Sequence, residues 1–150
     1  CAGQWEVAVP TVKVELMSTL PPRQVLKILT DFGPSRADVW PGVDDDHLVV
    51  HGQGPDWAEV TEGNKTTWER ERYLWNAAAG TVSATTTESN VWGQGSGWEY
   101  RLMPSGTGTR VEVALTRHGK GVKGRLLAAL LPLAGKSFLR KALSGPLQAG

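Results

Sequence analysis

The sequence predicts an α+β fold in which an antiparallel sheet of six to seven strands closes on one long C-terminal helix. Three observations carry that expectation. Between Lys120 and Leu143, the residues Leu126, Leu127, Leu130, Leu131, Ala134, Phe138 and Ala142 recur at three- and four-residue spacing, which gathers apolar groups on one side of a helix. From His47 onward the period is two, through segments at about 47–60, 66–75, 81–92, 96–103 and 109–118. One alternating strand and two short helical stretches precede them, so the chain reads strand, two helices, five strands, long helix.

The elements follow in order. Trp5 to Leu16 alternates at its C-terminal end, where Val12, Val14 and Leu16 oppose Lys13 and Glu15. That is a half-buried strand, and Pro10, which lacks a ladder donor, either precedes its start or places it on an edge. Ser18-Thr19-Leu20-Pro21-Pro22 is a helix entrance, Val25, Leu26, Ile28, Leu29 and Phe32 follow at helical spacing, and Gly33-Pro34 ends the run. A second short helix is expected over 35–39. The strands beyond are divided by Glu62-Gly63-Asn64, Ala79-Gly80, Gly93-Gln94-Gly95 and Pro104-Ser105-Gly106-Thr107-Gly108, whose residue types form tight turns. Within the last helix, Pro132 is expected to kink or interrupt the backbone, and Gly135 lowers helical preference beside it.

At 150 residues the chain has the length of one domain, 1–150, with a core expected over about 5–143. No apolar stretch is long enough to span a bilayer, because Arg125 and Lys136 bracket the longest one. The only cysteine is Cys1, so neither an intrachain disulfide nor a cysteine metal cluster is expected, and a cytoplasmic location is the default; a lipidated N-terminal Cys is the alternative. The net charge of +1 conceals an asymmetry. Residues 1–116 hold 9 Lys/Arg against 15 Asp/Glu, whereas 117–150 hold 7 Lys/Arg and no acid. A basic amphipathic helix suits a membrane surface or the solvated side of a core helix. Without aromatic-basic interleaving, no nucleic-acid partner is expected.

The order of elements, with DFGPSRADVWPGV after the first strand, WERERYLW, SGWEYRL, TRVEVAL and the closing KGRLLAALLPL, resembles the SRPBCC superfamily over about 12–143. That superfamily includes START-type lipid-transfer domains, polyketide cyclase/dehydrase-like proteins and birch-pollen-allergen-like proteins, and the bacterial polyketide cyclase/dehydrase and lipid-transport branch is the most similar. The resemblance implies the helix-grip fold, a strongly curved sheet wrapped around the C-terminal helix, with a cavity between them that holds a hydrophobic small molecule. It implies no cofactor and leaves the oligomeric state open. Two activities fit: binding or transport of a lipid-like or polyketide-like molecule, or a polyketide cyclase, aromatase or dehydratase using the same cavity. A membrane-surface role is a third reading.

Strand parity selects the candidate cavity residues. Trp98, Tyr100 and Leu102 share one face of their strand, and Val113 and Leu115 share one face of the next. In the strand at 82–92, the series Val82, Ala84, Thr86, Glu88, Asn90, Trp92 puts Glu88 and Asn90 inward with Trp92 unless a bulge intervenes. An inward Glu88 requires a ligand or a protein partner. In WERERYLW one parity carries Trp68, Arg70, Arg72 and Leu74 and the other Glu69, Glu71, Tyr73 and Trp75; cross-strand ion pairs account for either set, and Tyr73 and Trp75 are plausible walls. From the helix, Leu127, Leu130, Leu131 and Phe138 are expected to face the sheet. Proton-transfer candidates are Tyr73, Glu88, Tyr100 and His118, none of them in a nucleophile motif. Asp44-Asp45-Asp46-His47 lacks metal-ligand spacing and reads as a solvated turn.

Overall fold

The structure, a computed structural model, describes residues 11–150. The expected strand at 5–16 therefore lies partly outside the described residues. Its visible part, β1 (Thr11–Ser18), alternates strictly, with Val12, Val14, Leu16 and Ser18 buried and the residues between them exposed. Six further strands follow: β2 (Val49–Gln53), β3 (Trp57–Gly63), β4 (Trp68–Asn76), β5 (Thr81–Ser89), β6 (Gly97–Ser105) and β7 (Gly108–Thr116). The segment expected as one strand over 47–60 is a hairpin, because Gly54-Pro55-Asp56 turns the chain and the Gly54 N–H donates to the Trp57 carbonyl at 2.8 Å. Asp45–His47 ahead of it form a single 3-10 turn.

All seven strands pair antiparallel in the order β1-β7-β6-β5-β4-β3-β2. β1 and β2 are thus opposite edges, although they are consecutive in sequence. The chain crosses between them through α1 (Pro22–Thr30) and α2 (Arg36–Val39). Helix α1 buries Val25 and Leu29 on the sheet's inner face, and Arg36 of α2 is buried as well.

Helix α3 (Gly121–Ser144) packs mainly along β1. Its backbone continues through Pro132 without the interruption expected there. Small residues set the approach. A Cβ at Gly135 would lie 2.7 Å from Val12 Cγ2, and one at Gly124 would collide with the Val91 carbonyl oxygen. The buried residues of α3 are Gly124, Ala128, Gly135, Leu139 and Leu143, and not the larger leucines that the periodicity singled out. Beyond the helix, Leu147 is fully buried and the Met17 and Gly150 backbones exchange hydrogen bonds of 3.3 and 3.2 Å, which fasten the end of the described chain to β1.

One irregularity decides which side chains face inward. Arg70 pairs with Glu88 but Glu71 with Thr86, so Thr87 is an extra residue in β5. Val82, Ala84 and Thr86 point inward; past this bulge the parity reverses, Ser89 is buried and Glu88 and Asn90 are exposed. Glu88 thus faces solvent. Asn90 accepts from the Trp68 N–H at 3.0 Å and donates to the Thr66 carbonyl at 2.9 Å, fixing the β3–β4 hairpin end.

Candidate functional site

The curved sheet, α1, α2 and α3 leave a cavity of about 720 Å³ between them. Its apolar wall includes Leu29, Trp40, Trp92, Trp98, Leu115, Leu127, Leu131 and Phe138. Each arrives by a simple local rule. Trp98 and Tyr100 alternate inward on β6, their rings stacked with centroids 6.1 Å apart and planes 2° from parallel. Leu127 and Leu131 come from adjoining turns of α3 and Phe138 from two turns further on, and Phe138, 60 % exposed, stands at the rim.

The polar part comes from residues distant in sequence. Arg36 donates from Nε to Glu62 Oε2 at 2.6 Å and from Nη2 to Glu62 Oε1 at 3.2 Å, a two-pronged pair. Its Nη1 donates to the Leu29 and Asp31 carbonyls, capping the exit from α1. The Tyr73 hydroxyl receives a bond from Arg36 at 3.1 Å and donates to Glu62 at 2.9 Å. Phe32 covers the guanidinium, with the ring centre 4.5 Å away.

A second pair lies across the cavity wall. Arg117 donates to both oxygens of Glu69, at 2.7 and 3.1 Å, and Thr86 and Trp98 Nε1 donate to the same carboxylate at 3.1 and 3.4 Å. The Arg117 guanidinium lies between two indoles, 4.8 Å from Trp92 and 5.4 Å from Trp98. Between Glu69 and Tyr73, on the same face of β4, stands Glu71. It is 1 % exposed, and neither carboxyl oxygen has a hydrogen-bond partner among the described residues.

Burial, then the nearby negative charges of Glu69 and Glu62, raise the Glu71 carboxyl well above its ordinary range, so it holds its proton. Burial likewise raises Tyr73, reinforced by the charge of Glu62, and Tyr100, so both phenols stay protonated. With Glu71 neutral, two guanidiniums face two carboxylates and this polar cluster is charge-balanced.

Trp92, Trp98, Tyr100, Leu115, Leu127, Leu131, Phe138 and Tyr73 line the cavity. The other sequence-selected residues lie elsewhere. Glu88 and Asn90 are turned out by the bulge, and Leu130 is 56 % exposed on the far side of α3. Leu102 and Val113 are buried in the core. Trp75 packs on Phe32, with ring centres 6.5 Å apart. His118 lies against the Gly93–Gly95 loop, its backbone N–H donating to Ser96 Oγ at 2.9 Å. Residues missed by sequence reasoning are Arg36, Glu62, Glu69, Glu71 and Arg117. Arg117 had a signal, since it continues the inward series Val111, Val113, Leu115; Arg36 and Glu62 meet only through the fold.

A second depression, of about 880 Å³, lies mainly over the outward residues of the sheet, including Lys13, Ser83, Glu99, Arg101 and Glu112. Its aromatic lining is limited to Trp75 and Tyr100, against seven aromatic residues around the inner cavity, which is the candidate site.

An open antiparallel sheet gripping a long helix, with an apolar cavity and buried polar groups between them, defines the helix-grip class of the START/SRPBCC superfamily. Residues 9–145 match the family model described as polyketide cyclase / dehydrase and lipid transport, and the chain belongs to that family. Among solved structures it is similar to the protein TTHA0849 from Thermus thermophilus (TM-score 0.74, 19 % identity, 93 % of this chain and 95 % of that one). It is also similar to a START superfamily protein from Mycobacterium smegmatis (TM-score 0.70, 14 % identity, 92 % and 97 %). A third is the Zhui aromatase/cyclase from a Streptomyces species (TM-score 0.65, 16 % identity, 89 % and 83 %). Identities this low speak for the shared fold alone. Comparison with curated proteins gives no match.

Proposed function

We propose that the protein holds an apolar small molecule bearing a neutral oxygen group, a hydroxyl or ketone, in the cavity between the sheet and α3. The observation that carries this reading is the charge-balanced polar cluster set in an aromatic wall. A volume of about 720 Å³ suits a small organic ligand. Both interior guanidiniums are already engaged by carboxylates through two hydrogen bonds each. An anionic head group entering there would displace an existing pair and leave a buried carboxylate unpaired, a large cost. A hydroxyl or ketone needs only a hydrogen bond.

A cyclase or dehydratase reading uses the same cavity and is favoured by one observation, the convergence of protonated Tyr73 and Tyr100 on it beside a buried acid. Native mass spectrometry of the purified chain, followed by displacement of bound ANS with a naphthol or with decanoate, tests the binding reading. Displacement by the naphthol alone is expected. Equal displacement by decanoate would overturn the preference for neutral ligands, and displacement by neither would remove the binding function. Loss of turnover of a poly-β-ketone analogue in Tyr100→Phe, with affinity retained, would establish the enzyme reading; no turnover by the wild type would end it.

A further inference from the structure

The solvent side of α3 carries an apolar stripe that no other described element covers. Val122, Leu126, Leu130 and Leu133 are 78 %, 64 %, 56 % and 86 % exposed. At about 100° per residue they fall within one arc of roughly 80°, on the side opposite the buried Gly124, Ala128 and Gly135. Ala129, also exposed, adjoins this arc. Among the described residues the stripe therefore adds nothing to the core, and large aliphatic groups stand on its open side.

Its borders are basic. Arg125 and Lys136 flank one side of the arc and Lys123 and Lys141 the other, all four exposed, and none forms an ion pair among the described residues. Residues 117–150 contain 7 Lys/Arg and no acid. An apolar strip bordered on both sides by cations is the arrangement with which a helix lies in a membrane interface, its aliphatic groups at the acyl boundary and its ammonium and guanidinium groups at the level of the phosphates. Self-association through the same stripe would bring two positively charged borders together, so charge selects an anionic partner over a second copy of this chain.

We propose that the outer face of α3 docks the protein on anionic lipid surfaces. The inference stands apart from the ligand proposed for the cavity. Leu127, Leu131 and Phe138, which line the cavity, lie about 100–140° around the same helix from the centre of the stripe, so the docking face and the cavity wall are different sides of α3.

Co-sedimentation of the full chain with vesicles of equal parts phosphatidylcholine and phosphatidylglycerol, and with phosphatidylcholine alone, tests the proposal. Binding to the anionic vesicles is expected, weakening as salt is added and falling by about tenfold or more in the double variant Leu126→Glu/Leu133→Glu. Both positions are exposed, so the variant keeps its fold, which circular dichroism verifies; Leu126→Ser/Leu133→Ser repeats the test without adding charge. Three outcomes would overturn the proposal: no sedimentation of the wild type with anionic vesicles, undiminished binding by both double variants, or a wild-type dimer in light scattering that the variants split without any vesicle binding. Mere extraction of a lipid into the cavity would leave the protein in the supernatant and counts with the first of these.

Discussion

Glu71 shows how one residue sets the electrostatic balance of the interior. It is flanked along β4 by Glu69 and Tyr73, and its carboxyl is raised well above the ordinary range, first by burial and then by the charges of Glu69 and Glu62. The unfolded chain releases this proton near the ordinary glutamate pKa of about 4.3, whereas the folded protein retains it. The folded state therefore binds the extra proton, and the stability linked to Glu71 is complete below about pH 4.3 and declines as pH rises toward the raised folded value. Glu71→Gln removes that decline. Chemical denaturation across pH is expected to show the variant gaining on the wild type by about 1.4 kcal/mol per pH unit between those two pKa values. A parallel dependence for both proteins would mean that Glu71 is ionised in the fold. The ion-paired residues behave differently: truncating Arg117 would strand the Glu69 carboxylate, at a cost of about 3–5 kcal/mol.

At the scale of elements, α3 is shaped by what it lacks. Gly124 lets the first turn of the helix approach the Val91 carbonyl, and the same turn lies where the Lys120 N–H donates to Val91 at 2.8 Å. On propensity alone Gly124→Ala would favour the helix by about 1 kcal/mol. The collision is with backbone and cannot be relieved by a rotamer change, so a net loss of about 1–3 kcal/mol is expected, read by thermal or denaturant unfolding. Unchanged or increased stability would show that the helix entrance shifts freely. Gly135→Ala meets only side chains, Val12 closely and Leu131 at ordinary contact distance, and is expected to cost less. β5 makes a parallel point: a single added residue, Thr87, moves Glu88 from the core to solvent. Because the side-chain period of a strand is two, alternation cannot be followed through a bulge that only the partner strand reveals.

For the molecule as a whole, the sheet places its first and second strands at opposite edges, and α1 and α2 bridge them across the open end of the grip. A ligand filling the cavity touches the sheet, α2 and α3 together, so its binding energy adds to the stability of the entire fold. By mass action, a ligand at about 100 times its Kd adds about 2.7 kcal/mol. A co-purified or displacing ligand is expected to raise Tm in proportion to the logarithm of its concentration, measured by differential scanning fluorimetry. A compound that leaves Tm unchanged at high concentration does not bind the folded protein in preference to the unfolded chain, and is not the ligand of this cavity. No helix among the described residues is long and apolar enough to cross a membrane, so any lipid contact made by α3 is at a surface.

The order of elements and the sheet-and-helix architecture are written locally. Alternation in β1, β6 and β7 and the turn residues between strands need only neighbours a few positions away, so the sequence by itself determined the order of elements and the inward placement of Trp98, Tyr100 and Leu115, while its resemblance to the SRPBCC superfamily implied the helix-grip fold. The polar cluster is different in kind. Arg36 and Glu62 are 26 residues apart and Glu69 and Arg117 are 48 apart, and nothing in either member announces the other. In α3 the leucines surround the helix, so periodicity does not tell the inward arc from the outward one, and Leu130, expected to face the sheet, lies on the outward side. Only the tertiary structure decided which face was buried, because that choice was made by the small residues Gly124, Ala128 and Gly135 at close approach. Packing rewards the face that comes nearest, and the size of an isolated side chain does not reveal which face that is.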